Sequence, residues 1–278
     1  MLNVDLHCHS NVSDGALAPA VVAARAKANG VDVWALTDHD EVGGIAEARE
    51  AAIALGMRYV TGVEISVTWA GKTVHIVGLQ IDEKNEDLMR GLAMTRSGRE
   101  RRAREMAAQL ATVGIPGAFE GALKYVGNPD LISRTHFARF LVERGICPDA
   151  TTVFRKYLTE GKPGYVPHRW ATLQEAVGWI RGAGGCAVVA HPGRYDFNDL
   201  VLDALLSEFK QLGGIGVEVV TGSHTPDEFA VYAGVARKYG LLASRGSDFH
   251  APGESHTDLG ALPPLPPSVV PVWHDWRM

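Results

Sequence analysis

Imidazoles and carboxylates mark the places in this chain where chemistry could be done. Of eleven histidines, several directly follow short apolar runs. His7 and His9 stand two apart in VDLHCHS, a spacing that puts both rings on one side of an extended strand. Asp14 follows in a turn-like SDG. LTDHD brings Asp38, His39 and Asp40 after a second apolar run, and GVEIS brings Glu64 after a third. His75 lies on the segment behind Glu64, and His191 stands in AHPGR. RGSDFH supplies Asp248 and His250. Such a donor set, with no thiolate required, suits Zn, Mn or Fe and the water these ions activate. Cys8, between two of the histidines, should point to the opposite face of its strand and pack. Asp38 and Asp40 flank His39 and are candidates to fix its tautomer. His224, His256 and His274 fit no pattern.

The elements that must position these side chains alternate. Asn3 to Leu6 reads as a strand, Pro19 to Asn29 as a helix, Asp32 to Thr37 as a buried strand and Val42 to Leu55 as a helix. Arg58 to Val63 reads as a strand, followed by a hairpin over Ile65 to Leu79 that turns at Ala70-Gly71. A long helical stretch, Glu86 to Val113, then breaks the rhythm, with helices expected over Ser133 to Arg144 and Asp149 to Leu158. The alternation resumes with a helix at Leu173 to Arg181, a strand at Cys186 to Ala190 and a helix at Leu200 to Leu212. A strand at Gly216 to Val220, a helix at Pro226 to Tyr239 and a strand at Leu241 to Ser244 complete it. The Pro-rich stretch Pro263 to Pro271 reads as a surface wrap. This is an α/β pattern with mostly parallel strands. In a closed barrel of that kind the C-terminal strand ends converge on one face.

Charge divides along the same lines. Residues 93 to 169 hold thirteen Lys and Arg against seven Asp and Glu, a net of +6; the remainder, fourteen against twenty-five, carries −11. An acidic body that gathers cations beside a basic block that gathers anions is the reading this favours. Five arginines fall between Arg96 and Arg104, either a solvated face or a surface that follows RNA. No apolar run reaches membrane-spanning length, the N-terminus lacks the pattern of a signal peptide, and three cysteines form no disulfide framework. A cytoplasmic location without membrane contact is expected.

The strings HCH with Asp14, TDHD, Glu64, His75, AHP and SDFH resemble the motifs of the PHP (polymerase and histidinol phosphatase) family, over residues 7 to 82 and 186 to 250. The resemblance implies a distorted seven-stranded β/α barrel, made by residues 1–92 and 164–278. A helical insertion, 93–163, would cover the active site. It implies a metal-dependent phosphoesterase with three divalent ions, Mn foremost and Fe or Zn as alternatives. His7, His9, Glu64 and Asp248 would surround one ion, Glu64, His75 and His191 a second, and Asp14, His39 and His250 a third. Glu64, Asp248 and His191 would hold a bridging hydroxide.

SRTHFARFLVERG, GKPGYVP and AHPGRYD narrow the likeness to members acting on nucleotides, 3′,5′-nucleoside bisphosphate phosphatases and 5′→3′ exoribonucleases. The implied partner is a small nucleotide or short RNA, with no obligate protein partner. Histidinol phosphate is the alternative substrate, and a non-catalytic interaction module the alternative of another class.

Candidates for substrate contact lie outside the metal set. Arg194 suits bidentate binding of a phosphate. Arg134 and His136 suit a second phosphate, with Lys162 and His168 behind them. Tyr165, Trp170 and Phe249 could stack on a base or pack in a core.

Overall fold

The computed structural model describes residues 2 to 276. Seven strands stand in one sheet in chain order: β1 (Val4–Asp5), β2 (Val33–Leu36), β3 (Arg58–Trp69), β4 (Lys72–Leu79), β5 (Cys186–Val189), β6 (Gly216–Thr221) and β7 (Leu242–Gly246). Pairing is parallel except on either side of β4. Beyond its last ladder the sheet curls until its edges meet. The Leu6 N–H donates to the Arg245 carbonyl (3.0 Å), the Asp248 N–H to His7 (2.8 Å) and the His9 N–H to Phe249 (2.8 Å). The result is a nearly closed, distorted barrel.

Alternation within each strand separates its two faces. Val4, Leu6, Val33, Ala35, Val77, Leu79 and Val188 point inward and fill the barrel. Trp34 and Leu36 point outward under α1 (Pro19–Ala28) and α2 (Ile45–Ala54). Val63, Ile65, Val217 and Val219 point outward beneath α8 (Leu173–Gly182), α9 (Asp199–Gln211) and α10 (Pro226–Tyr239). The Pro-rich stretch does more than wrap the surface. Its end hooks onto β7 through Ala243, and Val272 with Trp273 packs against the barrel filling.

The helical stretch expected as one piece is two, α3 (Glu86–Arg96) and α4 (Arg99–Thr112), broken at Gly98, whose φ of 88° suits glycine. Leu88 and Leu92 on α3 pack with the barrel, so the boundary expected at residue 93 falls inside that helix. From α4 onward, α5 (Ala118–Leu123), α6 (Arg134–Glu143) and α7 (Ala150–Val153) build a separate core from Ala103 to Val166. The last expected helix continues past α7 as a wider turn over Phe154–Leu158. Glu64 does not end its strand. It lies mid-β3, where pairing to β2 gives way to pairing with β4.

Candidate metal centre and anion pocket

All nine residues expected as metal ligands meet at one end of the barrel. Glu64 is central and fully buried. Its Oε1 lies 3.0 Å from His191 Nε2, 3.1 Å from His75 Nδ1 and 3.3 Å from His7 Nε2. Its Oε2 lies 2.9 Å from His39 Nδ1 and 3.3 Å from His9 Nε2. Asp248 Oδ1 faces His9 Nε2 at 3.3 Å, and Asp14 Oδ1 faces His250 Nε2 at 3.3 Å. Four overlapping groups have donor atoms within 4.8 Å of one another: His9–Asp14–His39–His250, His7–His191–Asp248, His7–His9–Glu64 and His39–Glu64–His75. Because the groups overlap, they gather all nine residues without assigning each to one ion; His9 lies both with His7 and Glu64 and with Asp14, His39 and His250, and His191 lies beside both Glu64 and the His7–Asp248 pair.

Backbone strain accompanies the cluster. His191 (φ 26°), Asp248 (φ 55°) and Asp40 (φ 51°) take left-handed conformations rare outside glycine, the kind of cost concentrated at functional sites.

The donor chemistry fits cations. Buried Nδ1 atoms of His9, His39, His75 and His191, with Asp14 Oδ1, Glu64 Oε2 and Asp248 Oδ1, lack a well-formed hydrogen bond, an arrangement too costly to leave uncompensated. Electrostatics agree. Burial alone would raise the Glu64 carboxyl, but the surrounding His39, His7 and His75 rings hold it well below the carboxylate range. His39 is driven the other way from burial, up to about 9, by Glu64 and Asp14. Burial, with His250 and His39 alongside, pushes His9 down to about 3.

Four neighbours were not evident in the sequence. Glu218 on β6 is buried, accepting from His7 Nδ1 (2.9 Å) and from the His191 N–H (2.7 Å). Ser133 and Thr135, at the start of α6, donate to Asp14 Oδ2 at 3.3 and 2.9 Å. His224, which fitted no pattern, accepts the Gly193 N–H on Nε2 (3.0 Å) and so braces the turn after His191. The signal for Glu218 was a lone acid in the apolar run GVEVVT, legible only as a buried charge needing a partner.

Asp38 and Asp40 do not touch the His39 ring. Asp38 accepts from the Ser10 N–H, Ser10 Oγ and Ser13 Oγ. Asp40 accepts from Ser66 and from Arg99. Both tie loops together, because their side chains leave the strand end on other sides. Cys8 packs outward beside Trp34, as alternation requires.

Beside the cluster a cavity of about 310 Å³ opens beneath the insertion. Asp14, His39, His75 and His250 form its floor; Arg99, Arg102, Arg134, Arg194 and His168 line its walls. Arg134 has no carboxylate partner among the described residues. It lies over Phe154 (5.6 Å), and its Nη1 donates weakly to Leu158 O (3.4 Å). Burial, with Arg194 beside it, lowers its affinity for a proton. Burial and the Arg134 and Arg99 charges likewise pull Arg102 down to about 9. Crowded, desolvated guanidiniums of this kind are relieved by an anion. Arg194 donates to Asp248 Oδ2 at 2.8 Å.

Two substrate candidates are displaced. His136 is fully buried, its Nδ1 accepts the Ser133 N–H in a capping box, and burial pushes it to about 4, so it is a neutral helix cap. Lys162 is exposed and absent from the cavity wall, where Lys72 stands instead. His168 lines the wall, but burial and the Arg102 charge lower it to about 4, leaving it neutral. Tyr165 and Trp170 line the cavity, with Phe154 and Phe197, whereas Phe249 is core. The arginine run splits. Arg99 and Arg102 turn inward, while Arg101 and Arg104 are exposed and paired with Glu105 and Glu100 four residues away.

A βα barrel whose mouth gathers six imidazoles and three carboxylates beside an arginine-lined cavity defines a class of metal-dependent hydrolases acting on anions. The PHP domain pattern matches residues 5 to 126. A 3′,5′-nucleoside bisphosphate phosphatase of Chromobacterium violaceum is 54% identical over 99% of this chain and 96% of its own length. A 5′-3′ exoribonuclease of Haemophilus influenzae is 41% identical over 97% of each chain. A solved structure from Bifidobacterium adolescentis, described as a candidate metal-dependent phosphoesterase, superposes with a TM-score of 0.80 at 29% identity, covering 97% of this chain and 92% of its own. The chain belongs to the PHP-domain family.

Proposed function

We propose that this protein hydrolyses the 3′-phosphate of nucleoside 3′,5′-bisphosphates, with three divalent ions, foremost Mn, held by His7, His9, Asp14, His39, Glu64, His75, His191, Asp248 and His250. The observation that carries the reading is one cavity whose floor is Asp14, His39, His75 and His250, the exposed part of the nine-residue cluster, and whose wall carries Arg134, without a carboxylate partner among the described residues. Divalent ions there would supply a water of lowered pKa and neutralise charge on the phosphoryl oxygens.

The protein's own side chains do the rest. Arg134, with Arg102 behind it, would take the phosphate that is not cleaved, and being largely desolvated would bind it more strongly than a surface arginine. Arg194, anchored on Asp248, would orient the phosphate that is. Phe154 and Tyr165 offer faces for sugar and base, whereas the Trp170 ring is already covered by Arg99 and Arg102. The insertion would cover this assembly and limit the water that reaches it.

Relatives named as exoribonucleases support a second use of the same site, trimming short RNA from its 5′ end. A histidinol phosphatase is not favoured, because one phosphate monoester leaves Arg134 unanswered. A non-catalytic module is not favoured either, since every expected donor is present and gathered. No helix among the described residues is long and apolar enough to cross a membrane. We take the working partner to be a small nucleotide, without an obligate protein partner, in the cytoplasm.

The test is phosphate release by Mn-reconstituted protein from adenosine 3′,5′-bisphosphate, adenosine 3′- and 5′-monophosphates, histidinol phosphate and a short 5′-phosphorylated RNA. Preference for the bisphosphate is expected. Equal rates on the monophosphates would remove the second anion site, and silence on every substrate with metal bound would refute the enzymatic reading.

A further inference from the structure

We propose that Glu218 is a positioning residue that aims two histidines of the cluster at once, one through its ring and one through its backbone; the inference rests on the metal reading of that cluster. Glu218 stands on β6 between Val217 and Val219, which face outward into the helix layer. Alternation therefore turns its carboxylate to the barrel interior. The ladder to β7 slips one residue between Glu218 and Val220, and such a bulge re-aims the side chain beside it.

Both carboxylate oxygens are committed, to partners on different strands. Oε1 accepts from His7 Nδ1 at 2.9 Å, beyond β1, and Oε2 accepts from the His191 N–H at 2.7 Å, beyond β5. The first bond puts the His7 proton on Nδ1. It leaves Nε2, the atom nearest Glu64 and Asp248, free to ligate. A ring carrying its proton on Nε2 could not bind an ion there. The second bond holds His191 in its strained backbone conformation, φ 26° and ψ 60°, from which the ring reaches Glu64 Oε1.

His7 is gripped from other sides too. The Asp248 N–H donates to its carbonyl, and Gly246 lies so close behind its Cβ that a methyl group there would sit 2.3 Å away. With the backbone fixed, the remaining freedom is the tautomer, and Glu218 removes it. The two bonds need two acceptor oxygens, and the carboxylate supplies one to each donor. An amide of the same shape would turn its NH₂ toward one of the two donors.

The test compares Glu218→Gln with wild type and with Val219→Ala, which thins the outer core of the same strand without touching the carboxylate. Stepwise Mn and Zn binding is measured by calorimetry and metal content. We expect E218Q to bind at least one ion about 10–100-fold more weakly, and V219A to melt lower while keeping wild-type affinities. Wild-type affinities in E218Q would overturn the inference alone. Equal weakening in V219A would also overturn it, reducing Glu218 to a strand-stability residue. A wild-type protein that binds no metal would overturn the metal reading beneath it.

Should E218Q fail to fold, nitrogen-15 NMR of Zn-loaded wild type decides the matter. A His7 proton on Nδ1 supports the assignment, and one on Nε2 refutes it.

Discussion

At the barrel mouth, carboxylates are ringed by imidazoles and held ionised by them; in the insertion opposite, arginines crowd one another with no carboxylate to answer Arg134. The mouth offers donors suited to cations and the wall guanidiniums suited to an anion, so a phosphorylated substrate reaching from the metal site to Arg134 would answer both. The two regions are also built differently. The mouth is fixed by strand ends, main-chain closure bonds and a strained backbone, whereas the wall hangs on helices with their own core. Function tied to the mouth should therefore fail for every substrate, and function tied to the wall only for substrates with a second anion.

The largest effect should come from the mouth. Asp14→Asn or His191→Ala is expected to cut turnover of all phosphate esters by roughly 10³-fold or more, with an unchanged circular dichroism spectrum. Retained activity in either would break the comparison at its base. Next comes the wall. Arg134→Met should raise KM for a bisphosphate by about 10–100-fold, the worth of a charge-assisted hydrogen bond, and alter a monoester far less. An equal effect on both substrates would take Arg134 out of second-anion binding.

The seam between the regions should show in pH dependence of stability. Burial holds His136 at about 4 in the folded protein, against about 6.5 when unfolded. Its contribution is therefore fully present above about pH 6.5 and is lost as pH falls toward 4, by about 3 kcal/mol at most. His136→Gln keeps an acceptor for the Ser133 N–H and should flatten the melting curve's acid slope across that window. An unchanged slope would mean that His136 is protonated in place. The smallest effect is expected from Arg101→Ala with Arg104→Ala. Their pairs with Glu105 and Glu100 are solvent-exposed and weak, so bisphosphate turnover should stay within about twofold. A selective loss on RNA would extend the anion surface onto the outer face of α4.

Legibility followed the same division. His7, His9, His39, His191 and Asp248 could be read because each follows an apolar run, and strand ends in a βα barrel share one face. Glu64 and His75 are legible too, although Glu64 lies within a strand rather than at its end. The wall was read less well. Arg134 and Arg194 line the cavity, but His136 caps a helix and Lys162 lies in solvent on a turn, because a side chain's type does not say which side of a helix or turn it will occupy. In the Arg96 to Arg104 run, the break at Gly98 and the burial of Arg99 and Arg102 separate inward from outward guanidiniums. The buried face of that helix, Arg99, Arg102, Ala103, Met106 and Leu110, keeps the helical spacing, but only the packed insertion shows that two arginines belong to it.

What the sequence by itself determined is the α/β alternation and the metal-site chemistry. Both follow from local rules, the two-residue period of strands and the affinity of imidazole and carboxylate for divalent ions. The tertiary structure alone decided how the donors group, which arginines face the cavity, and that Glu218 clasps His7 and His191. Those relations join residues 211 and 27 positions apart. They depend on barrel closure and on the slip in β6, which bring distant strands within hydrogen-bond reach.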